Sequence, residues 1–192
     1  GFIALTQVQL KKIIAYSSIS QMGYLFFGLS LYPSTAGLIG VTLQIVANAL
    51  GKGLFFLTAG AVMTQTNQRE ITDVGGLAKQ MPVTAFATIA AGFSVAGVPP
   101  FLGFFSELLI FTGAFEKART DPLYFGLSMA LLVVTIISLA YVLRYITKVF
   151  FGESKNEKVE EIPVLMKISL LTLAVLVILF GIMPTFFIDL IS

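Results

Sequence analysis

The 192-residue chain is 57% hydrophobic and only 11% charged, and its mean hydropathy is +0.94. Soluble domains are about 45–50% apolar and about 25% charged, so a bilayer is the solvent that accepts this composition. A net charge of +2 argues against a nucleic-acid partner. The absence of cysteine and histidine argues against thiol chemistry and against zinc, haem or copper, so we expect neither a metal nor a cofactor.

Six apolar stretches lie along the chain, each long enough, or nearly so, for a helix that crosses a bilayer. They cover residues 13–33, 36–63, 82–98, 101–115, 123–151 and 164–191. Polar loops are expected at about 64–80, 116–122 and 152–163. The sequence therefore predicts an all-α membrane protein, a transmembrane helix bundle forming a single domain over residues 1–192. The chain starts at Gly1, inside an apolar stretch, which favours a fragment or processed piece of a larger protein.

Two of these stretches carry signals for a break. The run at 17–21 is polar enough to divide the first stretch into two pieces. Pro99 and Pro100 lack amide donors and must end or kink a helix. We therefore expect a broken helix near residues 99–106, whose freed carbonyls need water, a side chain or an ion.

Lys52 is the only charge in the second stretch and lies near its middle. A lysine at the centre of a spanning helix costs about 2.5–3.5 kcal/mol on insertion scales, and such residues usually serve a function. Gln44, Asn48 and Lys52 recur every four residues and so share one helix face, which could line a hydrated path. The alternatives are a structural ion pair or a lysine in a wet crevice, and, for the two amides, hydrogen bonding between helices.

Glu107 is the only ionisable residue between Pro82 and Phe115. It follows the double proline, and broken helices at membrane depth line cavities or bind ions. A carboxylate there can change protonation, whereas the alternative is a fixed salt bridge.

Other cations lie near the ends of the stretches. Lys11 and Lys12 precede an apolar run, and this position taken alone indicates that they lie at the membrane edge. Arg144 and Lys148 lie near the end of an apolar stretch, and we expect them to anchor it at the membrane interface.

Four segments resemble one family in the order in which that family carries them. Residues 10–24, LKKIIAYSSISQMGY, resemble the LKR-AYSS-S-MGY signature of the antiporter-like subunits of respiratory complex I, Mrp-type sodium/proton antiporters and membrane-bound hydrogenases. Residues 48–57, NALGKGLFFL, are similar to the family helix HALFKALLFL. Residues 73–82, DVGGLAKQMP, and 97–107, GVPPFLGFFSE, resemble its D-GGL--KMP loop and its GIPP--GF-SK/E broken helix.

The resemblance implies a fold of two inverted five-helix repeats with flanking helices. This chain resembles the second half, one five-helix repeat plus a C-terminal helix. In the family the first lysine of the LKR motif sits inside the membrane, on a helix that ends near AYSS. The resemblance therefore moves Lys11 from the membrane edge into the interior.

The family moves protons along the membrane midplane through lysines, histidines and one glutamate or lysine. By position, Lys11, Lys52 and Glu107 match members of this relay. Gln44 and Asn48 depart from the pattern, because many members carry histidine there. Amides can pass hydrogen bonds through water but cannot hold a proton.

Three hypotheses follow from these residues and the resemblance. The first is a proton-translocating, antiporter-like subunit of a redox-driven or Mrp-type complex in a prokaryotic cell membrane, partnered by other membrane subunits. The second is a Na⁺/H⁺ antiporter subunit in which Glu107 and nearby hydroxyls bind Na⁺. The third is a membrane scaffold subunit without transport.

Overall fold

The computed structural model describes residues 1–155 and 159–191, and 77% of the structure is helical. Residues 156–158, part of the loop predicted at 152–163, lie outside the described residues. In the described parts the order of helices is α1 (Phe2–Thr6), α2 (Leu10–Ser30), α3 (Thr35–Thr66), α4 (Pro82–Val95), α5 (Leu102–Ala118), α6 (Pro122–Phe150), α7 (Val164–Ile182) and α8 (Pro184–Ile191). The predicted all-α bundle is confirmed.

The 32-residue helix α3 lies at the centre and contacts α2, α4, α5, α7 and α8. The hydroxyl of Ser34 caps its first turn by accepting a hydrogen bond from the Gly37 amide at 3.3 Å. Small residues let α5 approach closely: a Cβ placed on Gly40 would lie 2.8 Å from the amide nitrogen of Ile110. Helix α3 therefore holds the helices that carry the site.

The outside of the bundle is apolar. Large side chains that are mostly exposed include Phe26 on α2, Ile136 on α6 and Leu165 on α7. Three helices, α3, α6 and α7, are long and apolar enough to cross a membrane, and α4 is a shorter apolar helix. These faces fit hydrocarbon rather than water as their solvent.

Helix α2 is continuous across 17–21, so the expected break in the first stretch is wrong. The hydroxyls of Ser17 and Ser18 donate to the carbonyl oxygen of Ile14, one turn back, at 2.7 and 3.2 Å. These polar groups are therefore satisfied within the helix and do not interrupt it. The helix also begins at Leu10 instead of ending near the AYSS segment, as the resemblance had implied.

The last apolar stretch is divided, although we expected one helix over 164–191. Helix α7 ends at Ile182, Met183 leaves the helical conformation, and α8 starts at Pro184. Proline lacks an amide hydrogen, and its ring disfavours a helical conformation in the preceding residue.

Charged side chains near the loops stabilise helix ends. Arg144 donates to the carbonyl oxygens of Leu5 and Gln7, where α1 ends, so it is not a free interface anchor. Lys117 donates to the carbonyl oxygen of Ser30 at 2.7 Å, at the end of α2. Glu161 accepts from the amide of Val83 at 2.9 Å and from the hydroxyl of Thr84 at 2.8 Å, in the first turn of α4.

We expect Glu161→Ala to lower the free energy of unfolding by about 1–3 kcal/mol, because it leaves donors in the first turn of α4 without their charged acceptor. Unfolding in mixed micelles measures the change. Glu160→Ala is the matched control, since Glu160 is exposed. Equal stability of the two variants would contradict the capping role.

Candidate functional site

The predicted interruption at the double proline is confirmed, but it lies at residues 96–101 and not at 99–106. Helix α4 ends at Val95 and α5 begins at Leu102, so residues 96–101 are not helical. Gly97 has φ +66°, a left-handed conformation that favours glycine. The Val95 carbonyl oxygen, freed at the end of α4, accepts a hydrogen bond from Nε2 of Gln21 on α2 at 3.1 Å.

Glu107, on α5, points its carboxylate back at this interruption. The residue is 5% exposed. A Cβ added to Gly97 would lie 2.7 Å from its Oε2 atom, so the carboxylate rests against the bare glycine. Oε2 accepts a hydrogen bond from Thr135 on α6 at 3.3 Å, and the Thr135 hydroxyl bonds that of Tyr24 on α2 at 2.6 Å. The carboxylate thus has one hydroxyl donor, Thr135, which is itself bonded to a tyrosine of a third helix.

Lys52 lies near the middle of α3 and is 8% exposed. Its Nζ forms no hydrogen bond with the described protein. Within the described residues Lys52 and Glu107 do not form an ion pair, so each charge is buried without an opposite charge in contact. The structural ion pair considered for Lys52 is absent from this part of the chain.

Amide side chains form a hydrogen-bonded chain beside the interruption. The hydroxyl of Ser106 donates to Oε1 of Gln44, whose Nε2 donates to Oε1 of Gln21 at 2.6 Å. Gln21 in turn donates to the Val95 carbonyl oxygen. Asn48 stands apart, because it is only half-buried and donates to the backbone of Gln44 at 2.9 Å. This amide chain joins α2, α3, α4 and α5.

Lys11 is not part of this cluster. It is exposed in the first turn of α2, in a cleft that also contains Arg69 and Gly60. Gly60 is eight residues from Lys52 along α3, which corresponds to about 12 Å along the helix axis. The structure therefore places Gln44 in the amide chain and Glu107 beside Thr135 at the interruption, and it leaves Lys11 at a separate, exposed position.

Reasoning from the sequence missed Gln21, Tyr24 and Thr135. The polar run that contains Gln21 was assigned to a break in the helix. The available signal was the spacing of Ser17, Gln21 and Tyr24, which places them on one face of a continuous helix. Thr135 carried no sequence signal of this kind, since its role depends on how α6 packs beside α5.

A family described as the membrane region of NADH:quinone oxidoreductase and Mrp antiporter subunits matches residues 1–133. The chain belongs to this family. The chain is 40% identical to NADH-quinone oxidoreductase subunit N of Desulforudis audaxviator over 116 residues, which is 60% of this chain and 23% of that protein. It is 32% identical over 203 residues to a subunit of the Na⁺/H⁺ antiporter of Alkalihalophilus pseudofirmus, with 94% of this chain and 25% of that protein covered.

Solved structures contain the same fold. The chain superposes on a chain of the Mrp complex from Dietzia sp. with a TM-score of 0.88 and 22% identity, covering 98% of this chain and 42% of that one. A chain of an archaeal membrane-bound sulfane sulfur reductase gives a TM-score of 0.83 and 35% identity, covering 93% and 29%. The chain thus spans about a quarter of the curated relatives and less than half of these structural neighbours.

We expect Gly97→Ala to disturb the interruption in this antiporter-like protein. The added Cβ would collide with the Glu107 carboxylate, and the alanine would have to adopt a left-handed conformation, which costs about 1–2 kcal/mol. Unfolding in mixed micelles should report this loss.

Gly23→Ala is the matched control, because a Cβ at Gly23 meets no atom within 4 Å and a helical alanine is favoured over glycine. Equal stability of the Gly97 variant and the wild type would show that the carboxylate does not rest where we place it.

Proposed function

We propose that the chain is part of a proton-translocating, antiporter-like subunit in which Lys11, Lys52 and Glu107 carry protons. The observation that supports this most strongly is the environment of Glu107. Its carboxylate is buried, contacts no cation among the described residues and is held by a hydroxyl. A fixed salt bridge would need a positive partner, whereas a buried carboxylate bonded to a neutral hydroxyl can gain and lose a proton.

The environment of Lys52 supports the same proposal. A buried ammonium without a hydrogen-bond partner is costly, so proteins keep one mainly where its charge changes or where water reaches it. Lys11 enters the proposal by its match to the family motif, and its exposed cleft would be the side from which protons reach Lys52. Gln44 and Asn48 would line the path without holding a proton.

We also propose that the chain acts as the second half of a longer subunit within a multi-subunit complex in a prokaryotic membrane. Membership of the family and the coverage of the relatives favour this arrangement. The matched relatives include one component of a quinone oxidoreductase and one component of a Na⁺/H⁺ antiporter. Both redox-driven and Mrp-type assemblies are therefore candidates, with other membrane subunits as partners.

Transport of Na⁺ in exchange for protons is the second candidate function. Thr135 bonds the Glu107 carboxylate, and Ser106, the preceding residue on α5, bonds Gln44, so these side chains provide carboxylate, hydroxyl and amide oxygen atoms. Sodium dependence of transport by the reconstituted complex separates the two functions. The third candidate is a scaffold subunit that does not itself transport ions. This candidate predicts that neutralising Glu107 leaves transport by the complex unchanged.

We expect Glu107→Gln to leave the complex assembled and to reduce proton transport about a hundredfold or more, because glutamine keeps the shape but cannot titrate. The measurement is pH change inside vesicles that contain the purified complex. Glu116→Gln is the matched control on the same helix, since Glu116 is exposed. Wild-type transport by the Glu107 variant would assign Glu107 a structural role and refute the proposed relay.

We expect Lys52→Ala to abolish transport as well, with the subunits still co-purifying. Lys52→Arg should not restore it, because a guanidinium keeps its charge and does not release a proton. Lys148→Ala serves as the control, since Lys148 is exposed near the end of α6. Full activity of the arginine variant would mean that Lys52 supplies charge alone.

A further inference from the structure

The start of α2 is not explained by its own sequence. Gln9, the residue before the helix, forms no side-chain capping hydrogen bond within the described part of the chain, and the first turn contains no acidic residue. Lys11 and Lys12 occupy that turn instead. A helix N-terminus carries partial positive charge and disfavours cations, so the local sequence opposes a start at Leu10. Contacts from elsewhere in the bundle must therefore impose it.

Residues 7–9 form a second interruption, between α1 and α2. Gln7 has an extended backbone conformation, with φ −69° and ψ 147°. If the two helices were continuous, the Leu10 amide would donate to the carbonyl oxygen of Thr6. It donates instead, at 3.0 Å, to the carbonyl oxygen of Arg69 in the loop after α3.

The same loop pairs with the interrupted segment at a second point. The Ile71 amide donates to the carbonyl oxygen of Val8 at 2.8 Å. Together with the preceding bond, this places Gln9 opposite Glu70 in one antiparallel pair. An isolated two-stranded pair is marginally stable at best, so a further contact is needed to hold the segment extended.

Arg144, on α6, provides that contact. One nitrogen of its guanidinium donates to the carbonyl oxygens of Leu5 and Gln7, the latter at 2.9 Å, and the residue is half-buried. In a continuous helix those two oxygens would accept from the amides of Gln9 and Lys11. The guanidinium therefore satisfies the acceptors that would otherwise be satisfied by continuing α1 into α2.

The position of Lys11 depends on which of these two arrangements forms. An extended residue advances about 3.3 Å and a helical residue about 1.5 Å, so converting residues 7–9 to helix would move the start of α2 by about 5 Å relative to α1. This movement is about one helical turn. It would take Lys11 out of the cleft that it shares with Gly60 and Arg69.

We infer that Arg144 is a positioning residue for Lys11: by holding residues 7–9 extended, it fixes where α2 begins and therefore where the Lys11 ammonium lies. This inference rests on the proposed function, in which Lys11 carries protons. The guanidinium carries none itself, because it stays protonated at physiological pH. Helix α6 then serves two candidate carriers, through Arg144 beside the start of α2 and through Thr135 at Glu107.

Replacing Arg144 in the intact complex tests the inference. Arg144→Met keeps a long side chain without donors, and we expect proton transport into vesicles to slow about tenfold or more, because small misplacements of a reacting group are costly. Arg144→Lys should restore most of the rate, since both bonds come from one nitrogen and an ammonium has three hydrogens. Lys148→Met is the matched control, one turn further along α6 and exposed, and should transport like the wild type.

A disulfide measures the position of the segment directly. The chain has no cysteine, so Gln9→Cys with Glu70→Cys introduces two thiols into a chain without others. The two residues form a non-hydrogen-bonded antiparallel pair, in which Cα atoms lie about 4.5 Å apart, within the range that a disulfide spans. We expect ready cross-linking under mild oxidation in the wild-type background and loss of most of it with Arg144→Met. Once formed, the disulfide should restore transport to the Arg144→Met variant, because it holds the segment in place of the guanidinium.

The outcomes separate this inference from the proposed function. Equal cross-linking with and without the guanidinium, or no cross-linking in the wild-type background, would overturn the inference whatever transport shows. A disulfide that forms in the Arg144→Met variant and leaves transport slow would also overturn it, because Arg144 would then act in another way. If Lys11→Met transports like the wild type, the proposed role of Lys11 fails, whereas the cross-linking still decides whether Arg144 sets its position. Should Arg144→Met fail to assemble, Arg144→Gln, whose amide has a shorter reach, replaces it in both measurements.

Discussion

Inside a bilayer, backbone polar groups must find partners within the protein, and the site depends on how this constraint is met between α4 and α5. The carbonyl oxygen of Val95 accepts a hydrogen bond from the side-chain amide of Gln21. The side-chain oxygen of Gln21 accepts from Gln44, and the side-chain oxygen of Gln44 accepts from Ser106. The interruption therefore fixes four helices relative to one another. It also presents the bare backbone of Gly97, against which the Glu107 carboxylate rests.

Two classes of charge are distinguished by their partners. Lys117 and Glu161, near the helix ends, bond backbone groups that a helix terminus leaves unsatisfied. Lys52 and Glu107 have no such structural role: one lacks a hydrogen bond in the described protein, and the other accepts from a single hydroxyl. A buried charge that does not cap a helix can change its protonation without loss of the fold. A group that moves protons must meet this requirement.

Sequence patterns gave correct predictions of secondary structure where the effect of a residue on its own backbone is strong. The apolar stretches form helices because a helix satisfies its backbone hydrogen bonds within the segment, as lipid requires. The double proline ends α4 because proline has no amide hydrogen to continue the helix. The prediction failed where a polar residue had two ways to be satisfied. Ser17 could break its helix or bond back to it, and only the second occurs. Pro184 was overlooked in an apolar run, although its lack of an amide hydrogen divides α7 from α8.

The sequence by itself determined that the protein lies in a membrane, that a helix is interrupted at the double proline, and that Lys52 and Glu107 are the charges inside apolar stretches. These features depend on composition and on single residues, whose physical effects are local. Only the tertiary structure decided that Lys52 and Glu107 do not pair with each other in the described part of the chain, and that Thr135, itself bonded to Tyr24, donates to the carboxylate. Contacts between distant helices depend on how side chains interlock across the bundle, and no spacing within one helix encodes them.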